Sequence, residues 1–293
     1  MEKLDEIRSL AIRHAGVQKP DLPRLSVHSI AEPTEMTALV YDPMAFIVLQ
    51  GTKRTIIGDQ VFEYGPGQTM VVAAEITAMG QILEASAESP FLAINLNLDP
   101  AVIMNVVLYL SQTPELRMQP GFGFSMANSE LIGAWQRLLE MYERPKEIPV
   151  MGLHLEHELM FRLMLGPHAE MLRQIAGVDS RLSHIRQAMA WIREHYTEHL
   201  SVEDMAAVAG MSESVFHRRF KAVTALSPLQ YQKHIRLQEA RRRLVARQGD
   251  AASAGFAVGY KNTSQFSREY RRLFGEPPRR DADMVQTIVE TAV

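Results

Sequence analysis

Residues 201–222, SVEDMAAVAGMSESVFHRRFKA, decide how the C-terminal third of the chain folds. Ser201-Val202-Glu203-Asp204 has the form of a capping box, with Ser201 at the N-cap and Asp204 at the third helical position. The alanine-rich helix it opens, through Ala209, closes at Gly210, a residue suited to the left-handed position after a helix. Ser212 is placed to cap the next helix at once. That helix runs from Glu213 to Ala222 and turns Val215, Phe216 and Phe220 inward. A short helix, a glycine turn and a second helix make a helix-turn-helix unit.

The same grammar recurs further along. Ala251 to Val258 is short and rich in small residues, and Gly259-Tyr260 turns the chain. Asn262 then caps a helix from Thr263 to Phe274 that Gly275 and Pro277-Pro278 stop. Phe266, Tyr270 and Phe274 fall at i, i+4 and i+8, a core face. Gly255, inside the short helix, is expected to cost about 1 kcal/mol relative to alanine. Between the two units, Ser227-Pro228-Leu229-Gln230 gives another capping box with proline first. The helix it opens is expected to continue through Arg247 and end at Gly249. Its span of roughly 30 Å approaches the roughly 34 Å between successive major grooves on one face of B-DNA.

Charge separates this region from the rest. Residues 179–280 carry 18 Lys+Arg against 10 Asp+Glu, whereas residues 1–178 carry 13 against 21, within a net charge of −3. A basic module beside an acidic one points to a polyanion partner for the first alone. The length of 293 residues suits two domains, and 46% hydrophobic with 22% charged residues is the balance of a globular protein. No run of about 18 apolar residues suggests a membrane span. The opening MEKLDEIRSLAIRHAG lacks the apolar core of a secretion signal. It reads as an amphipathic helix with Leu4, Ile7, Leu10 and Ala11 on one face, ended by Gly16, so a cytoplasmic location is expected. With no cysteine, disulfides, thiolate metal sites, Fe–S clusters and thiol switches are excluded. So are the methyl-acceptor repair proteins that carry this kind of DNA-binding module and need a thiolate.

Upstream, after a Pro-containing stretch from Pro20 to Pro43, short apolar or alternating runs read as strands: 46–50, 52–57, 60–64, 69–73 and 91–98. Gly58-Asp59, Gly65-Pro66-Gly67 and Ser89-Pro90 separate them as turns. Leu92, Ile94, Leu96 and Leu98 share one face, with Asn95 and Asn97 on the other. Strands at this spacing fit a small barrel or sandwich. Helices are expected at 101–111, 128–142 and 150–165. The last is apolar around much of its circumference, with Leu155, Leu159, Phe161, Leu163, Met164 and Leu165 spread round it. The domain boundary is expected at Gly177-Val178-Asp179.

Residues 179–281 resemble the DNA-binding domain of the AraC family, through MSESVFHRRFKAVTALSPLQYQKHIRLQEARRRL and VGYKNTSQFSREYRRLFGEPPRRD. The N-terminal part resembles a sensor type of that family, through PMAFIVLQGTKRTIIGDQVFEYGPGQTMVV and EASAESPFLAINLNLD. The resemblance implies an α+β protein of two domains. Residues 1–178 would form a cupin-like β-barrel with flanking helices, for effector sensing and dimerisation; residues 179–293 would form an all-α tandem helix-turn-helix domain. It implies a sequence-specific transcription regulator acting on double-stranded promoter DNA, an effector-responsive activator that engages RNA polymerase. Base readers would be Ser214, His217 and Arg218 in the first unit and Ser264, Gln265 and Arg268 in the second. Arg219, Lys221, Arg271 and Arg272 would hold phosphates. Arginine reads guanine bidentately and glutamine pairs with adenine, whereas phosphate contacts set affinity and register.

A cupin-like barrel raises the alternative of an enzyme fused to a DNA-binding domain. A metal centre is not expected, because only His14 and His28 precede residue 150 and three imidazoles cannot converge there. His154 and His157 sit three apart on a helix without forming the H-E-x-x-H zinc pattern. No cofactor and no catalytic residue is called for, which leaves a metal-independent enzyme as the rival reading. A weaker third is a regulator governed by a protein partner. Phe46, Val48, Phe62 and Leu83 are the candidate lining of an effector pocket, the alternative being an interior filled by its own side chains. Similar sensors are often encoded beside oxidoreductase genes, which suggests a small carbonyl compound or alcohol. A homodimer through the helices at 128–142 and 150–165 is expected, since paired modules read adjacent half-sites.

Overall fold

The computed structural model describes residues 2–16, 22, 24–110, 120–176, 181–246 and 250–283. Two units emerge, one built chiefly on Val40–Ser183 and the other on His184–Lys221 with the chain from Ala225 onward. The boundary expected at Gly177–Asp179 and the helix end expected at Arg247–Gly249 lie outside the described residues.

In the first unit, β1 (Leu25–Ile30), β8 (Phe91–Asn97), β3 (Met44–Gln50), β6 (Gln68–Val72) and β9 (Phe122–Met126) form one antiparallel sheet in that order. A second sheet has the order β2 (Thr37–Tyr41), β7 (Ile76–Glu84), β4 (Thr52–Ile57), β5 (Gln60–Tyr64). Rings from the two sheets meet between them, Phe46 with Tyr64 at 5.6 Å and Phe62 stacked on Phe124 at 4.6 Å. The barrel is thus realised as two facing sheets, and no ladder among the described residues joins them. The far face of the first sheet buries Ile47, Leu92, Ile94 and Leu96, and α1 (Glu2–His14) lies across β3 and β8 there. Ile7, Leu10 and Ala11 supply its buried face, as the amphipathic pattern requires.

Strands β1, β2, β7 and β9 were not among the expected ones. β1 and β2 sit in the Pro-containing stretch, and β7 carries Gly80 in mid-strand, a residue that weakens the strand pattern.

Of the remaining helices, α2 (Pro100–Tyr109), α3 (Ser129–Glu140), α4 (Ile148–Met164) and α5 (Ala169–Ala176) complete the first unit. Asn128 is the cap of α3 and not its first turn, accepting from Leu131 N at 2.8 Å. Trp135, Leu138 and Leu139 are then fully buried. In α4 the apolar circumference divides cleanly. Leu155, Leu159, Leu163 and Met164 are buried within the unit, and only Val150, Met151, Leu153, Phe161 and Leu165 face solvent. Leu159 therefore belongs to the core and to no outward surface.

The second unit is all helix: α6 (Arg181–Glu194), α7 (Val202–Val208), α8 (Glu213–Thr224), α9 (Pro228–Val245), α10 (Ala251–Ala257) and α11 (Thr263–Phe274). Both expected capping boxes form, Ser201 with Asp204 and Ser227 with Gln230. Phe216 and Phe220 pack together and on Tyr231 of α9, with ring centroids 5.3 and 5.4 Å apart. Tyr260, Phe266, Tyr270 and Phe274 make the corresponding chain of rings around α11. Each fully buried ring contributes roughly 1.5–3 kcal/mol, so these two clusters anchor the recognition helices to α9.

Candidate nucleic-acid interface

Because Phe216 and Phe220 take the inner side of α8, its outer side is left to the residues between them. Ser214, His217 and Arg218 are all exposed there, and Lys221 with them. On α11 the buried positions are Phe266, Tyr270 and Phe274, which leaves Ser264, Gln265, Arg268, Arg271 and Arg272 exposed. Among the described residues, no hydrogen bond or ion pair engages the side chains of Ser214, His217, Arg218, Lys221, Arg268 or Arg271. Cationic, imidazole and hydroxyl groups held at helix surfaces without internal partners are suited to phosphate oxygens and base edges.

Two of the candidates behave differently. Arg219 is half-buried and its Nη1 lies 3.8 Å from the Met211 sulfur, so it lines the base of α8 instead of standing clear. Gln265 donates through Nε2 to Glu269 Oε1 at 3.2 Å, one turn along the helix. Glu269 also accepts from Lys233 Nζ at 3.0 Å and from the Tyr260 hydroxyl at 2.8 Å. Burial alone would raise its carboxyl; the bonds from Gln265, Tyr260 and Lys233 outweigh that and hold it below the ordinary value. An i, i+4 Gln–Glu pair was visible in the sequence, but Lys233 and Tyr260 come from other elements and gave no local signal.

The N-terminal ends of the two recognition helices also differ. Asn262 Oδ1 accepts from Ser264 N and Gln265 N. Ser212 takes the N-cap conformation but makes no side-chain capping bond, contrary to expectation. The propensity penalty expected at Gly255 is opposed by packing. A Cβ there would lie 2.9 Å from the Phe266 ring, so glycine is what lets α10 pack directly on α11.

A second set of unforeseen residues fixes the scaffold. From α9, Arg236 donates to Tyr196 O at 2.6 Å and Glu198 O at 2.7 Å, and Gln232 donates to the same two carbonyls at 3.0 and 2.8 Å. Arg236 also reaches Gly259 O at 3.3 Å in the turn of the second unit. The loop before α7, the connecting helix and the turn before α11 are thereby tied at one point. At the far end Arg241 grips Asp281 with two bonds of 2.8 Å, and the Tyr270 hydroxyl adds a third at 2.7 Å.

In the first unit, Phe46 and Val48 point between the sheets, and Phe62 stacks on Phe124 within the same ring cluster. Leu83 stands apart, half-buried beside the register shift of β7 on β4; Ile82 is the side chain paired opposite Lys53. Polar groups that sequence reading did not collect share this interior. Thr55 and the Tyr64 hydroxyl share a 2.6 Å hydrogen bond, Tyr41 approaches Thr55 at 3.4 Å, and the Lys53 ammonium lies 5.3 Å from the Tyr41 ring centre. Burial, then the neighbouring Tyr41, pushes the Tyr64 phenol well up, so it stays a neutral donor. On the other sheet His28 Nε2 donates to Asn95 Oδ1 at 2.5 Å. Among the described residues no three His, Asp or Glu side chains gather as a metal site. His157 donates Nδ1–H to Leu153 O at 2.7 Å. No described helix is long and apolar enough to cross a membrane.

The second unit carries two helix-turn-helix units joined by one helix, the architecture of a DNA-binding module. The chain belongs to the AraC family: the profile of AraC-type transcriptional regulator N-termini matches residues 21–171, and a helix-turn-helix domain profile matches residues 205–283. It is 33% identical over 103 residues to the HTH-type transcriptional activator RhaS of Escherichia fergusonii, 35% of this chain and 36% of that one. To the MmsAB operon regulatory protein of Pseudomonas aeruginosa it is 27% identical over 146 residues, 50% of this chain and 48% of that one. The chain thus spans about a third to a half of the length of these curated relatives. Unsaturated fatty acid-bound ToxT of Vibrio cholerae shares the fold, with a TM-score of 0.58 over 88% of this chain and 94% of that one, at 9% identity.

Proposed function

We propose that residues 179–293 bind promoter DNA sequence-specifically through α8 and α11, and that residues 1–178 sense an effector and dimerise, making the protein an effector-responsive activator that engages RNA polymerase. The observation that carries this is the pair of recognition helices, each fastened by aromatic residues on one side and presenting exposed polar and basic residues on the other. Ser214, His217, Arg218, Ser264, Gln265 and Arg268 read bases; Lys221, Arg271 and Arg272 hold phosphates, with Arg219 a weaker phosphate contact because it turns back to Met211. A small carbonyl compound or alcohol suits the hydroxyls of Tyr41, Thr55 and Tyr64 beside Phe46, Val48 and Phe62. The ligand-bound state of ToxT, which shares the fold, supports a small organic effector.

Binding profiles over a randomised operator library test the DNA reading. Arg218→Ala and Arg268→Ala should each cost roughly 1–3 kcal/mol and relax preference at one base pair. Lys221→Ala should weaken all sequences alike and flatten the salt dependence. A uniform loss from Arg218→Ala would remove it from the base readers.

The homodimer reading now rests on α4 alone. Val150, Leu153, Phe161 and Leu165 are 67, 52, 37 and 60% exposed along one side, whereas α3 exposes no large apolar residue. A stripe of this kind marks an interaction surface. Sedimentation of Leu153→Asp, which leaves the buried face untouched, should show monomers where wild type shows dimers; unchanged sedimentation would exclude α4.

A further inference from the structure

We infer that Glu269 is a specificity-determining positioning residue, which fixes the donor and acceptor sense of the Gln265 amide so that Gln265 selects adenine. This deepens the reading of Gln265 as a base reader and rests on it.

Glu269 does not touch DNA in this reading; it acts on the group that does. Its carboxylate is held from three directions. Lys233 reaches it from α9 at 3.0 Å, Tyr260 from the α10–α11 turn at 2.8 Å, and Gln265 from the preceding turn of α11 at 3.2 Å. The Glu269 side chain is only 12% exposed, so its position is set by the scaffold and not by solvent. An ionised carboxylate only accepts hydrogen bonds. The amide edge that meets it must therefore be the nitrogen, because an amide oxygen there would face another acceptor. With one N–H committed to Glu269, Gln265 presents its second N–H and its oxygen outward. A donor beside an acceptor is the pattern that matches adenine N7 and N6 in the major groove.

A solvent-exposed i, i+4 pair would be worth only a few tenths of a kcal/mol and would leave the amide free to turn. Here the carboxylate is immobilised by Lys233 and Tyr260 before Gln265 meets it, so little further ordering is needed when DNA arrives. Preorganised side chains convert more of each contact into discrimination.

The experiment compares full-length wild type, Gln265→Ala and Glu269→Gln on one randomised double-stranded DNA library. Gln265→Ala should erase an adenine preference at one base pair. Glu269→Gln keeps the volume but offers one acceptor in place of two. With its oxygen on the Tyr260 hydroxyl, its amide nitrogen takes the Oε1 place that Gln265 and Lys233 share, and the Lys233 side chain, 44% exposed, turns to solvent. The Gln265 amide can then reverse and present two donors, the pattern guanine accepts. Adenine preference at that pair should fall by about threefold or more, out of the roughly 5- to 150-fold a bidentate contact supplies, with guanine gaining. Preferences read by Arg218 should be unchanged. If Gln265→Ala erases the preference and Glu269→Gln leaves it at the wild-type level, the positioning role is overturned and the base reading stands. If Gln265→Ala changes no base pair, the base reading falls and the positioning role with it. An equal loss at every pair, including those read by Arg218, would show a merely structural effect and overturn the inference.

Discussion

In the first helix-turn-helix unit, α8 starts at Ser212 without a side-chain cap and ends at Ala225, an alanine held at φ 61°. In the second, α11 starts at Asn262, which caps two amides, and ends at Gly275 with φ 85°. The turns differ as well. A Cβ at Gly210 would approach nothing nearer than 3.8 Å, whereas one at Gly259 would lie 2.2 Å from Thr197 O. The second unit is also bonded to the connecting helix at both ends, through Lys233–Glu269 and Arg241–Asp281. Similar folding grammar therefore yields two different attachments. Directional bonds and close backbone approach hold the second reader at both ends, while α8 has neither the side-chain cap nor the glycine end of α11.

The largest expected effect separates the two turns. Gly259→Ala combines a left-handed backbone with a clash against a carbonyl oxygen, and should cost about 4 kcal/mol or more, the range of exceptional single substitutions. Gly210→Ala meets only the His184 ring, at an ordinary contact distance of 3.8 Å, and should cost only the left-handed strain, about 1–2 kcal/mol. Thermal melts of the two variants beside wild type measure both. Equal losses would mean that the second turn is no more tightly fastened than the first.

Gly255 tests the packing between α10 and α11. Helix propensity alone predicts that Gly255→Ala stabilises by about 1 kcal/mol. The Phe266 ring leaves no room for the methyl group, and overpacking a filled core typically costs about 1–3 kcal/mol. The net expectation is a loss of roughly 1 kcal/mol, read by denaturant titration. A stabilised variant would show that Phe266 yields easily and that the second unit is looser than its bonds suggest.

What the sequence revealed follows the range of the interactions involved. Ser201–Asp204, Ser227–Gln230, Asn262 and the turn glycines are local, and each was readable from a few adjacent residues. The helix-turn-helix units and the exposure of Arg218 and Arg268 follow from them. Glu269 was hidden because its role depends on Lys233 and Tyr260, distant in sequence and adjacent only after folding. The packing at Gly255 was hidden for the same reason, since propensity scales do not contain Phe266. Leu159 and Phe161 could not be assigned to opposite sides of α4 from a helix that is apolar nearly all round. In the sandwich, β3 and β8 announced themselves by continuous apolar runs, while β7 was masked by Gly80 and β9 by Gly123 between its two phenylalanines.

The smallest expected effect concerns the helix ends. Ala225 is the only non-glycine residue with positive φ among the described residues, and a Cβ in that region costs about 1–2 kcal/mol. Gly275 does the same work on α11 with no Cβ. Ala225→Gly removes the strain but gives the unfolded chain more freedom, which offsets about 0.4–1 kcal/mol. The net expectation is a gain of roughly 0.5–1 kcal/mol, confined to the first unit. Hydrogen exchange of the amides in α8 should slow, while that of α11 should stay as in wild type. If the variant is destabilised instead, the Ala225 methyl group makes contacts worth more than its backbone strain, and the first helix end is as well fitted as the second.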